Sequence, residues 1–287
     1  MQRALRHIWL CADDYGISHG VNAAIRELAI RGRLNATSVM VLAPHFDRGD
    51  ARSLQMLNAG TKRVALGLHL TLTGPFEPVS ASFEPVRNGR FPPMQTMQLK
   101  ALARRLDRDA LKLEIAAQIH AFAGAFGHLP DFIDGHQHVH LFPQVREALL
   151  EAMTRMTPKA WTRQCGRARG AKRLHEPKAL TLDILSANFR RKATRAGIAT
   201  NPAFAGSYSF TKRAVFARLF PGFLKGLPDG GLIMCHPGFV DAELKRLDTL
   251  THLREREYEY FMSDEFAQLL KAENVALGRP PGEPFQA

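Results

Sequence analysis

Four short hydrophobic runs of this chain each end in residues that bind metals or transfer protons. The runs are HIWLCADDYG near the start, then VALGLHLTL, FIDGHQHVHL and LIMCHPG. A side chain at the carboxyl end of a buried strand lies on a rigid rim, and parallel strands bring several such ends to a common mouth. This pattern predicts an enzyme whose site is assembled from distant parts of the chain.

Between these runs, apolar residues recur at helical spacing, so predicted strands and helices alternate. Strands are predicted at residues 7–12, 35–43, 64–72, 132–141, 160–164 and 231–235. Helices are predicted at 18–32, 111–126, 143–153, 180–196, 213–219, 252–262 and 264–272. No glycine-rich phosphate fingerprint is present, which favours a barrel over an open sheet. We expect an α/β fold, a distorted (β/α) TIM-like barrel of parallel strands with an irregular basic insertion at 165–230, and one domain over residues 1–287.

Composition narrows the class of protein. Lys and Arg total 39 and Asp and Glu 27, so the formal net charge of +12 favours an anionic partner, nucleic acid or a lipid surface. Cys11, Cys165 and Cys235 have no C-x-x-C spacing, so we expect neither a disulfide framework nor a thiolate zinc site. The first apolar run is too short for a signal peptide, and no stretch approaches the ~20 residues of a membrane span. We expect a cytoplasmic protein, with peripheral contact to the inner face of the membrane as the lipid-surface option.

Asp13 and Asp14 are adjacent carboxylates after the first predicted strand. In extended backbone their side chains point to opposite sides, so one can bind a metal while the other handles a proton. Capping of the helix that begins after Ser18 is the alternative role for either residue. His69 lies in the strand run GLHLTL, where a lone histidine is more often a satisfied core residue than a ligand.

Asp134, His136, His138 and His140 follow one another at every second position. On a continuous strand all four side chains share one face, and burying three histidines there without a function would be costly. Alternate residues are ~6.5 to 7 Å apart along a strand, so they cannot all reach one ion. We expect one metal ligand, with the others serving the substrate or supporting the ligands; a solvated histidine-rich edge is the alternative.

Two imidazoles and a carboxylate with open positions are typical of a catalytic site for zinc or a similar divalent ion. Such an ion lowers the pKa of its bound water to about 7, which favours hydrolysis. His236 lies before a Pro-Gly turn and fits a proton donor on the opposite wall, or a turn histidine bonded to backbone. Arg163 in the run WTRQ is a candidate for orienting a carboxylate or a sugar at the mouth.

At these residues the sequence resembles the YdjC-type carbohydrate deacetylases, through ADDYGISHGVNAAI, LGLHLTL, DGHQHVHLFP and CHPG in that order. The resemblance implies a distorted (β/α) barrel that removes acetyl groups from N-acetylated sugars with a divalent metal. It implies three metal ligands, Asp14, His69 and His136. It also implies Asp13 as general base and His236 as proton donor or oxyanion partner. The candidate substrate-binding residues outside this set are His138, His140 and Arg163.

The length, the basic balance and the Cys-His-Pro-Gly ending look like the branch of this family linked to hopanoid biosynthesis, HpnK. That branch implies the N-acetylglucosamine headgroup of a hopanoid glycolipid as substrate. A lipid partner would explain the apolar run AVFARLFPGFLKGL, which has the cations Lys212 and Arg213 just before it and Lys225 near its end. Its large apolar side chains predict a shallow anchor on an anionic membrane, or alternatively a core helix interrupted by Pro221; they are Phe216, Leu219, Phe220, Phe223 and Leu224.

Other metals and other functions stay open. The donor set suits zinc, with magnesium, cobalt, nickel and manganese as alternatives. A chito-oligosaccharide deacetylase, or another metal-dependent amidohydrolase or phosphoesterase, would use the same kind of barrel. A nucleic-acid-binding protein is disfavoured, because only four tyrosines and two tryptophans are present and the phenylalanines lie mostly in apolar runs.

Overall fold

The computed structural model describes residues 4–59, 64–83, 88–168, 177–211 and 213–278, with backbone only for 177–179. Strands and helices alternate along this part of the chain. The strands are β1 (Arg6–Tyr15), β2 (Ala36–Val39), β3 (Ala65–Leu70), β4 (Phe132–Gly135), β5 (Trp161–Thr162), β6 (Phe204–Ala205), β7 (Leu232–Cys235) and β8 (Val275–Leu277). The helices are α1 (His19–Ile30), α2 (Arg48–Met56), α3 (Met94–Leu102), α4 (Arg108–Phe126), α5 (Val145–Met156), α6 (Pro177–Arg195), α7 (Phe216–Leu224), α8 (Ala242–Leu247), α9 (Arg254–Met262) and α10 (Asp264–Ala272), with a 3₁₀ turn at His136–Leu141.

The strands pair in parallel, in the order β5-β4-β3-β2-β1-β7-β6, and β8 pairs with the first residues of β1. The two ends of this order meet, because Thr162 in β5 forms a parallel bridge with Thr200, just before β6. The sheet therefore curls into a distorted, TIM-like barrel with its carboxyl ends at one mouth. The predicted α/β barrel is confirmed.

The barrel interior is layered, because alternate residues of each strand point inward. Nearer the amino ends three buried rings pack together: the ring centroids of Phe132 and Trp161 are 4.5 Å apart, and those of Trp9 and Trp161 are 5.9 Å apart. Gly67 makes room for them, since a Cβ there would lie 2.4 Å from the Phe132 ring. Two residues further along the same strands the side chains are polar or ionisable, namely Cys11, His69, Asp134 and Arg163. The aromatic layer closes one end of the barrel, and the polar layer lies beneath the open one.

The predicted strand 132–141 is wrong beyond Gly135. Residues His136–Leu141 form the 3₁₀ turn, in which Gln137 and His138 have positive φ. Gly135 permits this fold-back, because a Cβ there would lie 2.9 Å from the Nδ1 of His140. The three histidines therefore do not share one strand face, and each points to a different neighbour.

Residues 165–230 differ in part from the expectation. In the described part of this region, α6 matches the helix predicted at 180–196 and α7 overlaps the one predicted at 213–219, whereas β6, which completes the barrel order, was not predicted. β6 has only two residues before Gly206, at φ +98°, so it is too short to show the alternation of a strand. The short elements α2, α3, α8 and β8 also lie outside the sequence-based expectation.

Asn35 contacts β1 through its side chain as well as through its backbone amide, which donates to the Leu10 carbonyl at 3.3 Å. Its Oδ1 accepts a hydrogen bond from the Leu10 amide at 2.8 Å, and its Nδ2 donates to the Ile8 carbonyl at 3.0 Å. Both partners are fully buried. The second strand, Ala36–Val39, is shorter than the predicted 35–43 at both ends, and Asn35 adds a side-chain bridge just before it.

We expect Asn35→Ala to lower the free energy of unfolding by about 1 to 3 kcal/mol, because it removes the side-chain acceptor of the buried Leu10 amide and one of two hydrogen bonds to the Ile8 carbonyl. Urea denaturation followed by circular dichroism measures the change. Gln95→Ala, at an exposed position of α3, is the control and should change stability by no more than about 0.5 kcal/mol. A loss for Asn35→Ala no larger than that of the control would contradict the bridging role.

Candidate active site

Asp14, His69 and His136 meet at the carboxyl ends of β1, β3 and β4. The Oδ1 of Asp14 lies 3.1 Å from the Nδ1 of His136 and 3.3 Å from the Nε2 of His69. One donor atom from each residue lies within 4.8 Å of the other two, and all three side chains are buried. Three residues separated widely in the sequence therefore offer two imidazole nitrogens and a carboxylate oxygen to one point.

A bulge near the end of β1 separates the two aspartates. The register of β1 against β2 shifts between Ala12 and Tyr15, and Asp14 has φ +69°, in the left-handed region. The expectation of extended backbone at Asp14 is thus wrong, although the two side chains do diverge. Ser18 caps α1, accepting a hydrogen bond from the Val21 amide. Neither aspartate is needed as that cap.

The surroundings of His69 fit a divalent cation. Its Nδ1 lies 2.6 Å from the Oδ1 of Asp134, which directs Nε2 towards Asp14. A carboxylate behind a histidine in this way is typical of metal sites. Burial would lower the pKa of His69, but Asp134 and the other nearby carboxylates outweigh it and raise the pKa to about 10. The pocket favours added positive charge at this point, and Asp14, His69 and His136 are the residues that would hold an ion.

Arg254 at the start of α9 holds the other oxygen of Asp14. Its Nη2 donates to the Oδ2 of Asp14 at 2.6 Å and to Asp248 at 2.6 Å, while its Nε donates to the Leu250 carbonyl. Burial disfavours the charged carboxylate, yet Arg254 and the two histidines hold the pKa of Asp14 well below its usual value. With Oδ2 occupied, Oδ1 is the oxygen left for a ligand.

Asp13 points into the barrel and is paired with the fully buried Arg163. The guanidinium donates at 2.7 Å to Oδ2 and at 2.5 Å to Oδ1, and also lies 2.6 Å from Asp134. Burial would raise the pKa of Asp13, but the charge and hydrogen bonds of Arg163 outweigh it and lower the pKa to about 2. Arg163 was predicted to orient either a carboxylate or a sugar, and its contacts with Asp13 and Asp134 favour the first of these roles. Cys11, Asp13 and Asp134 form a second group whose donor atoms lie close enough together to hold a metal ion. The positively charged guanidinium of Arg163, which also contacts Cys11, already lies against this group.

His236 lies directly after β7, across the mouth. Its backbone amide donates at 2.6 Å to the Oε2 of Glu257, and the Tyr208 hydroxyl donates at 2.5 Å to the Oε1 of the same carboxylate. The Nδ1 of His236 is buried and has no hydrogen-bond partner among the described residues. Glu257 therefore holds the backbone of His236, while the Nδ1 of the ring is available to another group.

The remaining predicted residues lie beside this centre. The buried His140 lies with its Nε2 2.9 Å from the Arg163 carbonyl, so its contact is with the segment that carries Arg163. His138 is partly exposed, and its Nδ1 lies 3.5 Å from the Sγ of Cys165. Burial and the charge of Arg163 lower the pKa of His138, which favours the neutral ring. A substrate role remains a prediction for both histidines.

Sequence reasoning missed Arg254 and Glu257 as supports of the site, whereas the expected supporting role among residues 134–140 falls to Asp134. Arg254 and Glu257 lie in the run REREYEYF, which reads as a solvated helix face because charged residues alternate along it. Their spacing of three places them on one face of α9, and both are buried. Nothing in the run itself distinguishes these two from their exposed neighbours.

Comparisons with known proteins agree with this architecture. The model of the family described as "YdjC-like protein" matches residues 7–272. A chitooligosaccharide deacetylase of Klebsiella pneumoniae subsp. pneumoniae is 30% identical over 262 residues, covering 84% of this chain and 88% of the relative. One of Salmonella paratyphi B is 27% identical, covering 94% and 95%. The chain belongs to the YdjC-like family.

A solved structure shares the fold. It is a crystal structure from Enterococcus faecalis V583 named as a candidate cellobiose-phosphate cleavage protein, with a TM-score of 0.72 and 20% identity. The match covers 96% of this chain and 98% of the other. The barrel is thus the fold of a known structure over nearly its whole length.

We expect His69→Ala and His136→Ala to abolish stoichiometric binding of Zn²⁺, because each removes one of three donors. Isothermal titration calorimetry on metal-stripped protein measures it. His128→Ala, an exposed histidine after α4, is the control. Full retention of binding by both site variants would contradict the three-residue site.

We expect Arg254→Met to weaken Zn²⁺ binding by about 10- to 100-fold, the usual effect of losing a residue that orients a metal ligand. The same titration measures it. Arg246→Met removes an exposed arginine paired with Glu243 on α8 and should leave the affinity unchanged. Wild-type affinity in Arg254→Met would show that Asp14 does not depend on this contact.

Proposed function

We propose that this protein is a metal-dependent hydrolase that removes an acetyl group from an N-acetylated sugar. The observation that carries the proposal is the convergence of Asp14, His69 and His136 between two further groups, Asp13 and His236. Membership of the YdjC-like family supports it, as do relatives named chitooligosaccharide deacetylases.

Amide hydrolysis needs a nucleophile, a stabilised oxyanion and a proton for a poor amine leaving group. A bound divalent ion would polarise the acetyl carbonyl and lower the pKa of water. Asp14, His69 and His136 would hold that ion, and Asp134 would keep His69 oriented. Their burial excludes bulk water from the donors, which strengthens each electrostatic contact.

Asp13 is the proposed acceptor of the water's proton. Its pairing with Arg163 makes it a weak base in the resting site, so it can accept the proton only as the water becomes strongly acidic during attack. The same pairing fixes both carboxylate oxygens, so the acceptor atoms are positioned before the substrate arrives.

His236 is the proposed donor to the departing sugar nitrogen. Its ring lies on the wall opposite β3 and β4, and Glu257 holds its backbone. A donor on that side faces the nitrogen of an amide whose carbonyl lies at the metal ligands. The buried Nδ1 without a partner indicates a ring whose hydrogen bonding is incomplete until a substrate binds.

For the substrate, we propose the N-acetylglucosamine headgroup of a hopanoid glycolipid, which the resemblance of the sequence to the HpnK branch supports. A chito-oligosaccharide is the second candidate, supported by the names of the relatives. Incubation of the zinc-loaded protein with chitin oligomers and with the glycolipid, side by side, followed by mass spectrometry, distinguishes them by the loss of one acetyl group. Release of phosphate from phosphorylated sugars without release of acetate would refute both.

We expect Asp13→Asn to retain Zn²⁺ and to lose about 10²- to 10⁴-fold in turnover, the usual contribution of a general base. Acetate release and metal titration on the same preparation measure the two quantities. Asp109→Asn, in the first turn of α4, is the control. Equal loss of metal and of turnover in Asp13→Asn would refute the division of roles between the two aspartates.

We also propose peripheral contact with an anionic membrane near residues 211–227. Phe216 and Phe220 pack against aromatic side chains of α9 and α10, and Leu224 is buried, as in the core helix of the alternative, so these three are not part of the proposed contact. Val215 and the cations Arg213, Arg218 and Lys225 remain exposed, while Lys212 and residues 169–176 lie outside the described residues. No helix in the described residues has both the length and the apolar character needed to cross a bilayer.

We expect the protein to float with vesicles that contain anionic lipid at low salt, and flotation to weaken as salt screens the cations. Val215→Ser should also reduce flotation, because it removes an exposed apolar side chain from the proposed contact. Leu102→Ser, an exposed apolar residue of α3 on another element, is the control. Absence of flotation with anionic vesicles at low salt would refute the contact.

A further inference from the structure

Phe210 is an exposed aromatic side chain at the mouth of the barrel. It is 37% exposed, and among the residues that the structure describes no other Phe, Tyr or Trp is as exposed. Its loop follows β6 at the carboxyl end, where the candidate active site lies. Nothing in the steps assigned to Asp13, Asp14 or His236 uses this ring.

The loop that carries Phe210 is held tightly against β7. Gly206 has φ +98°, and a Cβ there would lie 2.1 Å from the Met234 carbonyl oxygen. Only glycine permits this approach, and it directs the following residues towards the end of β7. His236 stands at that end, one residue beyond Cys235.

One carboxylate fixes both Phe210's neighbour and the proposed proton donor. Glu257 accepts hydrogen bonds from the Tyr208 hydroxyl and from the His236 amide. The ring centroids of Tyr208 and Phe210 are 4.4 Å apart, and those of Phe210 and His236 are 5.6 Å apart, with the latter two rings nearly perpendicular. The position of the Phe210 ring relative to His236 is therefore set by the packing.

The chemistry around Phe210 indicates what it contacts. Ser207, Ser209 and Thr211 are exposed in the same loop, so a single apolar ring is surrounded by hydroxyl groups. A lipid chain would require a broader apolar surface. A pyranose ring presents a face of C–H groups and a rim of hydroxyls, and this combination matches an aromatic ring among polar side chains.

We propose that Phe210 is the platform on which the pyranose ring beside His236 packs, so that the apolar face of the sugar covers the Phe210 ring while its acetamido group reaches the metal ligands. This assignment rests on the proposed function and adds the binding site of the sugar ring. It predicts that the site recognises an acetylated sugar by its ring as well as by its amide.

A tryptophan at position 210 tests binding without turnover. Trp9 and Trp161 are 7% and 6% exposed and lie in the closed end of the barrel, so Phe210→Trp adds one exposed reporter at the mouth. On metal-stripped protein, we expect N,N′-diacetylchitobiose to shift and saturate the emission of Phe210→Trp and to leave that of the wild type unchanged. An emission that does not respond to the sugar at any concentration up to its solubility overturns the proposal.

Kinetics on the zinc-loaded protein provide the second test. Phe210→Leu keeps an apolar side chain against His236 but removes the aromatic face, and should raise KM for diacetylchitobiose about three- to tenfold, the usual worth of an aromatic contact, with the loss falling mainly on KM. Phe210→Trp should restore KM. Leu113→Ala, an exposed apolar side chain on α4, is the control and should keep the wild-type KM.

These outcomes separate the platform from the activity itself. If the wild type releases acetate and Phe210→Leu has the wild-type KM, the platform is refuted and the proposed function stands. If the wild type releases no acetate from any N-acetylated sugar, the proposed function fails, and the fluorescence titration alone decides the platform: a saturable shift supports it and no shift overturns it.

Discussion

The buried guanidinium of Arg163 is the contact on which the interior of the barrel depends. It lies between Asp13 and Asp134, two carboxylates that reach the same low-dielectric space from different strands. Without a cation there, both could not remain charged, because the repulsion and the loss of hydration are each large. Asp134 in turn orients His69. The arrangement of a proposed metal ligand thus depends on an arginine that does not touch it.

A second buried arginine supports the site from outside the barrel. Arg254 and Glu257 extend from one face of α9, and the first holds Asp14 while the second holds His236 and Tyr208. The carboxyl ends of the neighbouring strands β1 and β7 are therefore joined through a single helix. Because both arms of this support come from residues only three positions apart, α9 is part of the site and not merely a helix packed against the sheet. A shift of this helix would move the proposed metal ligand and the proposed proton donor together.

The strands that carry chemistry were predictable from sequence, because each is a buried apolar run that ends in an ionisable residue. The pattern thus located the strand ends that meet in the site but left open which aspartate and which histidines bind a metal. The set Asp14, His69 and His136 was implied by the resemblance to the YdjC-type deacetylases, and the structure brings these three residues together. The turn at His136–Leu141 was not predictable, since alternating histidines fit a strand equally well and only the room above Gly135 decides otherwise. Arg254 and Glu257 were not predictable for a related reason. They are buried because they contact Asp14 and His236, and these partners lie far away in the sequence. Short elements such as β6 leave too few residues for any period.

The packed rings of Trp9, Phe132 and Trp161 limit how small molecules can enter and leave the barrel. Among the residues that the structure describes, these rings fill the barrel axis beneath the polar layer, so the far end offers a small molecule no passage there. Whatever enters by the mouth must also depart by it. In a hydrolysis that yields two products, the smaller and more deeply lying fragment can leave only after, or alongside, the larger one that blocks its way.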